Sequence, residues 1–110
     1  MAISIIDPIS GKKLHDLDSH SATDVALRFD EGRKAQPDWA RVSPKQRSAI
    51  AFKLVDAVIS RQDELMDTLQ METGKSRSHA FEEVTGALAA ISYYAKMTPK
   101  LMRRTKVRGG

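Results

Sequence analysis

Ser43-Pro44-Lys45-Gln46-Arg47 is the stretch that decides the fold. The serine hydroxyl is placed to take up first-turn amides. Pro44 loses nothing by lacking an N–H at the first helical position, and Gln46 completes a capping box, so a helix starts here. Apolar residues then return at helical spacing through Ile50, Leu54, Ala57 and Val58, which are expected to form the buried stripe. Ser60-Arg61-Gln62-Asp63 has the form of a fresh cap and predicts a break. Leu65, Met66 and Leu69 carry the next helix to Gly74, a residue suited to the position just past a helix end.

Working outward, the preceding helix is expected to begin at Ser21, with Asp24 completing the cap. Ala22, Val25, Phe29 and Gly32 share one face. Gln36-Pro37 should end it, since the residue before proline avoids the α region, leaving Trp39 as an apolar anchor in the connection. Gly32 inside a helix costs about 1 kcal/mol relative to alanine, so close packing against another backbone is expected there. Residues 3 to 18 read as β-like, with Ile3, Ile5 and Leu14 flanking the turn Asp7-Pro8-Ile9-Ser10-Gly11-Lys12. On the other side, a long helix is expected from Ser76 to Met97. Phe81, Val84, Leu88, Ile91 and Ala95 mark one face, and Ala80, Ala87 and Tyr94 a second, so contact on two sides is expected. Thr98-Pro99 should end or kink it, and Gly109-Gly110 reads as a loop. The fold class is thus mainly α: about four helices after a short β-hairpin. The expected divisions are a hairpin segment (1–20), a helical segment (21–97) and a basic connector (98–110).

At 110 residues, 41% hydrophobic and 29% charged, the chain has the composition of one globular unit. It has no cysteine, which excludes disulfides, thiolate metal sites and a cysteine nucleophile of its own. No apolar run approaches membrane-spanning length and the N-terminus lacks the features of a signal peptide, so a cytoplasmic protein without a membrane partner is expected. The net charge of +4 divides unevenly. Lys96, Lys100, Arg103, Arg104, Lys106 and Arg108 face no acid within the last fifteen residues, whereas the other 95 hold twelve basic against fourteen acidic residues, a net of −2. Such a tail can contact nucleic acid or an acidic partner, which gives the alternative reading of a small helical binding module. No aromatic residue is interleaved for base stacking, so nucleic acid is the weaker expectation.

Catalytic constellations are sparse. His15 and His20 have no third ligand at metal spacing, and Glu82 and Glu83 point about 100° apart on a helix. Glu72-Thr73-Gly74-Lys75-Ser76 ends like a phosphate loop but lacks the earlier glycine and the preceding strand.

Taken in order, these elements resemble the N-terminal end of the NAD(P)-dependent aldehyde dehydrogenase superfamily. Asp7-Pro8-Ile9-Ser10-Gly11-Lys12 resembles its Asn-Pro-x-Thr-Gly-Glu hairpin, and Ala35-Gln36-Pro37-Asp38-Trp39 its Ala-Phe-x-x-Trp signature. Ser43-Pro44-Lys45-Gln46-Arg47 is similar to its helix start. Asp63-Glu64-Leu65 with Glu72-Thr73-Gly74-Lys75 resembles its Asp-Glu-Leu…Glu-x-Gly-Lys block, and Glu83-Val84 with Ile91-Ser92-Tyr93-Tyr94-Ala95 the helix that follows. Within the superfamily the pattern is similar to succinate-semialdehyde dehydrogenases. Asp7 for asparagine, Gln36-Pro37 and Gly32 are departures.

The resemblance implies a parent enzyme in which a cysteine thiolate attacks the aldehyde and hydride passes to NAD or NADP. It places those parts, with the oxyanion donors and the water-activating glutamate, downstream of this chain. No catalytic or cofactor-binding residue is therefore expected here, and the chain alone should be inactive. It also implies a sodium or potassium ion near the Ile6 carbonyl and Glu72, and a substrate entrance near Glu83 and Gly86. The implied partners are the remainder of the parent enzyme, including its cofactor domain, and further copies in a homo-oligomer.

Overall fold

The computed structural model describes residues 2–106. Two strands, β1 (Ala2–Ile6) and β2 (Lys13–Asp18), precede four helices: α1 (Ala22–Arg41), α2 (Pro44–Ser60), α3 (Gln62–Thr73) and α4 (Arg77–Leu101). This is the expected hairpin followed by helices. The readings placed on Arg108 and Gly109-Gly110 lie outside the described residues.

The strands pair antiparallel from Ala2 opposite Asp18 to Ile6 opposite Lys13, with a bulge between Ile5 and Ile6. Asp7 organises the turn. Its carboxylate accepts from the Ile9 amide at 2.8 Å and the Ser10 hydroxyl at 2.5 Å, and these bonds, the hydroxyl first, hold it below the usual carboxylate range. Gly11 takes a φ of +69° there, a conformation that suits glycine.

The caps at Ser21 and Ser43 form as expected. Ser21 and Ser43 each accept from the amide three residues on, while Asp24 and Gln46 accept from the serine amides in return. Ser76 caps α4 through the His79 amide. The α2–α3 break falls at Arg61, but no side chain caps α3; the Ser60 hydroxyl instead donates back to the Ala57 carbonyl at 2.9 Å. Gly74 closes α3 with a φ of +70°.

Two prolines, Pro37 and Pro99, lie inside helices that continue past them. α1 runs through Pro37 to Arg41, so Trp39 is helical rather than in a connection. A helical proline deprives the carbonyl four residues earlier of its amide. α1 buries no residue, so water can supply the missing bond at Arg33. α4 runs through Pro99 to Leu101, past the expected end at Met97, and here the replacement is internal. The orphaned carbonyl is that of Ala95, and the Ser48 hydroxyl of α2 donates to it at 2.7 Å.

The core forms where α4 lies across α2 and α3. Met66, Ala80 and Val84 are buried, with Val58, Leu69 and Leu88 packed around them, and Ala95 is buried farther along α4. The burial stripe of α2 therefore passes through Ser48, Ala51, Val55 and Val58. This corrects the expected stripe, because Ile50, Leu54 and Ala57 are exposed and only Val58 is shared. α2 is apolar on two faces, and α4 covers the other one. Similarly, Phe81, Ala87 and Tyr94 of α4 are exposed, so within this chain α4 is covered on one side rather than two.

α1 stands apart. It packs broadly against none of the other elements, and Val25 and Phe29 are 57% and 63% exposed. A Cβ at Gly32 would meet nothing within 4 Å, so the expected close backbone approach is not made within this chain. Its direction is set at one end by Arg47 of α2. That guanidinium donates to the carbonyls of Val42 at 2.9 Å and Trp39 at 2.8 Å, and lies 5.1 Å from the Trp39 ring centroid. The radius of gyration is 19.5 Å, against about 13 Å for a compact domain of this length.

Two consequences can be measured by denaturant unfolding. Ser48→Ala leaves the Ala95 carbonyl without a donor inside a packed seam and should cost about 1–2 kcal/mol. Ser60→Ala, whose bond lies at an exposed turn, should change stability by less than about 0.5 kcal/mol. Equal effects would show that the inter-helix bond is dispensable. Gly74→Ala combines a left-handed backbone with a Cβ placed 3.2 Å from Pro8 Cγ in the hairpin turn. It should cost at least about 1–2 kcal/mol, and wild-type stability would contradict it.

Candidate functional site

The chemistry-bearing residues gather where the hairpin meets the C-terminus of α3 and the start of α4. Pro8 and Ile9 rest against Gly74, and His15 Nε2 of β2 lies 3.3 Å from Glu72 Oε1 of α3. One loop onward, Lys75 pairs with Glu83 of α4. Arg77 reaches back to α3, donating to Asp63 at 2.9 Å and pairing with Asp67 as well. These contacts tie hairpin, α3 and α4 into one corner. Every side chain in these pairs is more than a third exposed, where a single pair stabilises by at most about 1 kcal/mol.

Of the expected site residues, Glu72 lies at this corner, with its carboxylate turned to His15. Ile6 sits at the strand bulge beside the turn. Among the described residues no three His, Cys, Asp or Glu side chains converge to hold a metal ion. One carboxylate facing an imidazole does not by itself make a cation-holding group.

Glu83 lines an apolar groove of about 350 Å³ between α2, α3 and α4, with Val58, Leu65, Thr68, Leu69, Val84 and Ala87. Gly86, one turn along, faces open space: a Cβ there would meet nothing within 4 Å. A second groove of about 500 Å³ runs between Trp39 and Arg47 at one end and Ile91, Tyr94 and Met102 of α4. The grooves can bind apolar matter, but neither holds a nucleophile beside a base.

The titrating groups agree. Asp16 is held below its ordinary range by Lys13 and then Ser4, Asp24 by Ser21, and Glu64 by Arg61, whose own value rises in return. Among the described residues every carboxyl with a resolved shift is lowered, which makes hydrogen-bond acceptors of them rather than proton donors for catalysis.

The Lys75–Glu83, His15–Glu72 and Arg77 pairs were not foreseen from sequence. Their partners are 8, 57, 14 and 10 residues apart, outside the three- and four-residue spacings that announce a pair on one helix. The Arg47 cap carried a fainter signal, an arginine one position beyond the capping box at the end of a preceding helix.

Comparison with known proteins bears on this arrangement directly. The aldehyde dehydrogenase family model matches residues 1–109. The chain is 37% identical over 105 residues, 96% of its length, to a putative succinate-semialdehyde dehydrogenase [NADP(+)] of Mycolicibacterium smegmatis, covering 20% of that protein. It is 27% identical over 86% of its length to a D-glyceraldehyde dehydrogenase (NADP(+)) of Picrophilus torridus, covering 19% of it. The fold superposes along its whole length on a crystal structure of an NAD-dependent benzaldehyde dehydrogenase from Corynebacterium glutamicum, with a TM-score of 0.90, 24% identity and 24% of that chain covered. The chain thus spans about a fifth of the length of the curated relatives it matches. The match along nearly every residue decides the grouping: the chain belongs to the aldehyde dehydrogenase family.

Proposed function

We propose that this chain is the amino-terminal part of a cytoplasmic NAD(P)-dependent aldehyde dehydrogenase that oxidises succinate semialdehyde, and that its own contribution is structural. The observation that carries the substrate is the identity difference: 37% to relatives named for succinate semialdehyde against 27% to one named for D-glyceraldehyde. NADP is the cofactor in both names, while the solved benzaldehyde dehydrogenase is described as NAD-dependent.

The Lys75–Glu83 corner is compatible with an anionic aldehyde. Glu83 alone would repel a carboxylate, but the Lys75 ammonium paired with it compensates that charge. Catalysis needs a nucleophile that this cysteine-free chain does not hold. Its part is to supply the α2–α3–α4 body and the exposed apolar faces on which the remainder of a parent enzyme would close. Exclusion of water from those faces favours that association in proportion to the apolar area covered.

The test is a graft. Replacing the matching fifth of the M. smegmatis enzyme with this chain should leave NADP-dependent oxidation of succinate semialdehyde within about tenfold of the parent, read as reduced nicotinamide. The 110-residue chain incubated alone with substrate and either nucleotide should give none. A folded graft that prefers an uncharged aldehyde would overturn the substrate assignment. Turnover by the chain alone would overturn the structural role.

A further inference from the structure

The described hydroxyls differ in what occupies them. Ser21, Ser43 and Ser76 serve as helix caps, and Ser4 and Ser10 donate to the carboxylates of Asp16 and Asp7. Those within the helices stand on backbone already wound into hydrogen-bonded turns, and Ser19 sits between Asp18 and His20 in a polar hollow with Asp24 and Glu31. Thr105 is placed differently. It follows the end of α4 in exposed, irregular backbone, and its hydroxyl reaches only the Arg103 carbonyl at 3.5 Å, longer than an ordinary O–H···O bond.

Its surroundings are uniformly cationic. Arg103 and Arg104 precede it and Lys106 follows, with Lys96 and Lys100 on the closing turns of α4. All five are exposed, and among the described residues none of them meets a carboxylate. The body of the chain treats its cations otherwise: Lys13, Arg28, Arg41, Arg61, Lys75 and Arg77 are each paired with an acid. No acidic residue follows Glu83 in the sequence. A phosphoryl acceptor has to meet its donor in line, which an exposed hydroxyl on an unwound segment can do and one inside a helix cannot without unwinding it. The flanking cations fit a kinase whose substrate groove is acidic.

We infer that Thr105 is a phosphorylation site for a serine/threonine kinase that selects basic segments. The threonine oxygen attacks the γ-phosphorus of a magnesium-bound nucleoside triphosphate, the bond to the β–γ bridging oxygen breaks, and the diphosphate leaves with that electron pair. The hydroxyl proton passes to the kinase's base. The product carries a charge of about −1.5 to −2 at neutral pH, set among the cations of Arg103, Arg104 and Lys106. The guanidinium forks close on its oxygens, so phosphorylation orders this segment and offsets more than half of its positive charge. The site is independent of which aldehyde a parent enzyme oxidises, and its failure would leave that assignment untouched.

The full chain incubated with magnesium–ATP and a basic-directed serine/threonine kinase should gain one phosphoryl group by intact mass, placed on Thr105 by fragmentation. Thr105→Val should gain none, and Arg104→Gln should be modified about tenfold more slowly, the scale of one lost charged contact. Both positions are exposed and lie beyond α4, so far-UV circular dichroism should match the wild type. In the phosphorylated chain trypsin should cut after Arg103 and Arg104 about tenfold more slowly, because the phosphate engages those guanidiniums. That readout separates a phosphate seated among the cations from one merely attached. No incorporation, a phosphate on another hydroxyl, equal rates for wild type and Arg104→Gln, or unchanged cutting by trypsin would each overturn the inference.

Discussion

The structure hangs on the seam between α2 and α4, and that seam is held at Ala95 by a hydrogen bond that Pro99 makes necessary. A proline inside α4 strips the Ala95 carbonyl of its helical donor in a packed position, where an unmet acceptor is costly. Ser48 supplies the donor from the neighbouring helix at 2.7 Å. A local defect thereby becomes a tertiary bond that fixes the register of the two helices. With that register set, Ala51, Val55 and Val58 face α4, and Ala80 and Val84 come to rest on Met66. α3 follows because the break at Arg61 and the left-handed turn at Gly74 return the chain beneath α4.

The hairpin is held by other means. It has no buried core residue of its own, and an isolated two-stranded ribbon is marginal in water. It leans on the close of α3, where Pro8 and Ile9 cover Gly74 and His15 meets Glu72. The absence of a side chain at Gly74 therefore serves both the helix end and the hairpin seat.

What the sequence reveals and what it hides divides along one physical line. Features written in neighbouring residues were readable: the serine caps at positions 21 and 43, the helix start at Ser76, the break near Arg61, the Asp7 turn and the glycine at 74 depend on groups within a few positions of one another. The ordered motifs from hairpin to α4 made the family readable too. Contacts depending on a distant partner were not. Pro37 and Pro99 looked like helix ends because their local cost is visible while the remedies, solvent exposure in one case and Ser48 in the other, are not. The α2 stripe was misplaced because Ile50, Leu54 and Ala57 repeat as regularly as Ala51, Val55 and Val58. Periodicity shows that a face is apolar but not which of two faces its neighbour covers. The same ambiguity hides the ion pairs at the corner, whose members lie outside helical spacing.

That ambiguity bears on what the chain can do. Among the described residues the buried core, Met66, Ala80, Val84 and Ala95, is small, and the second apolar stripes on α2 and α4 lie outside it. A free-standing binding module would be selected to keep such stripes polar, because exposed apolar surface drives nonspecific association. Such stripes, at helical period along α1, α2 and α4, are the surface that the proposed association with a parent enzyme would cover. The carboxylates held charged by local hydrogen bonds, Asp7, Asp16, Asp24 and Glu64, lie outside the two α4 grooves, whose linings are mostly apolar. The two α4 grooves are thus lined mostly by apolar side chains, and covering them would remove that surface from water.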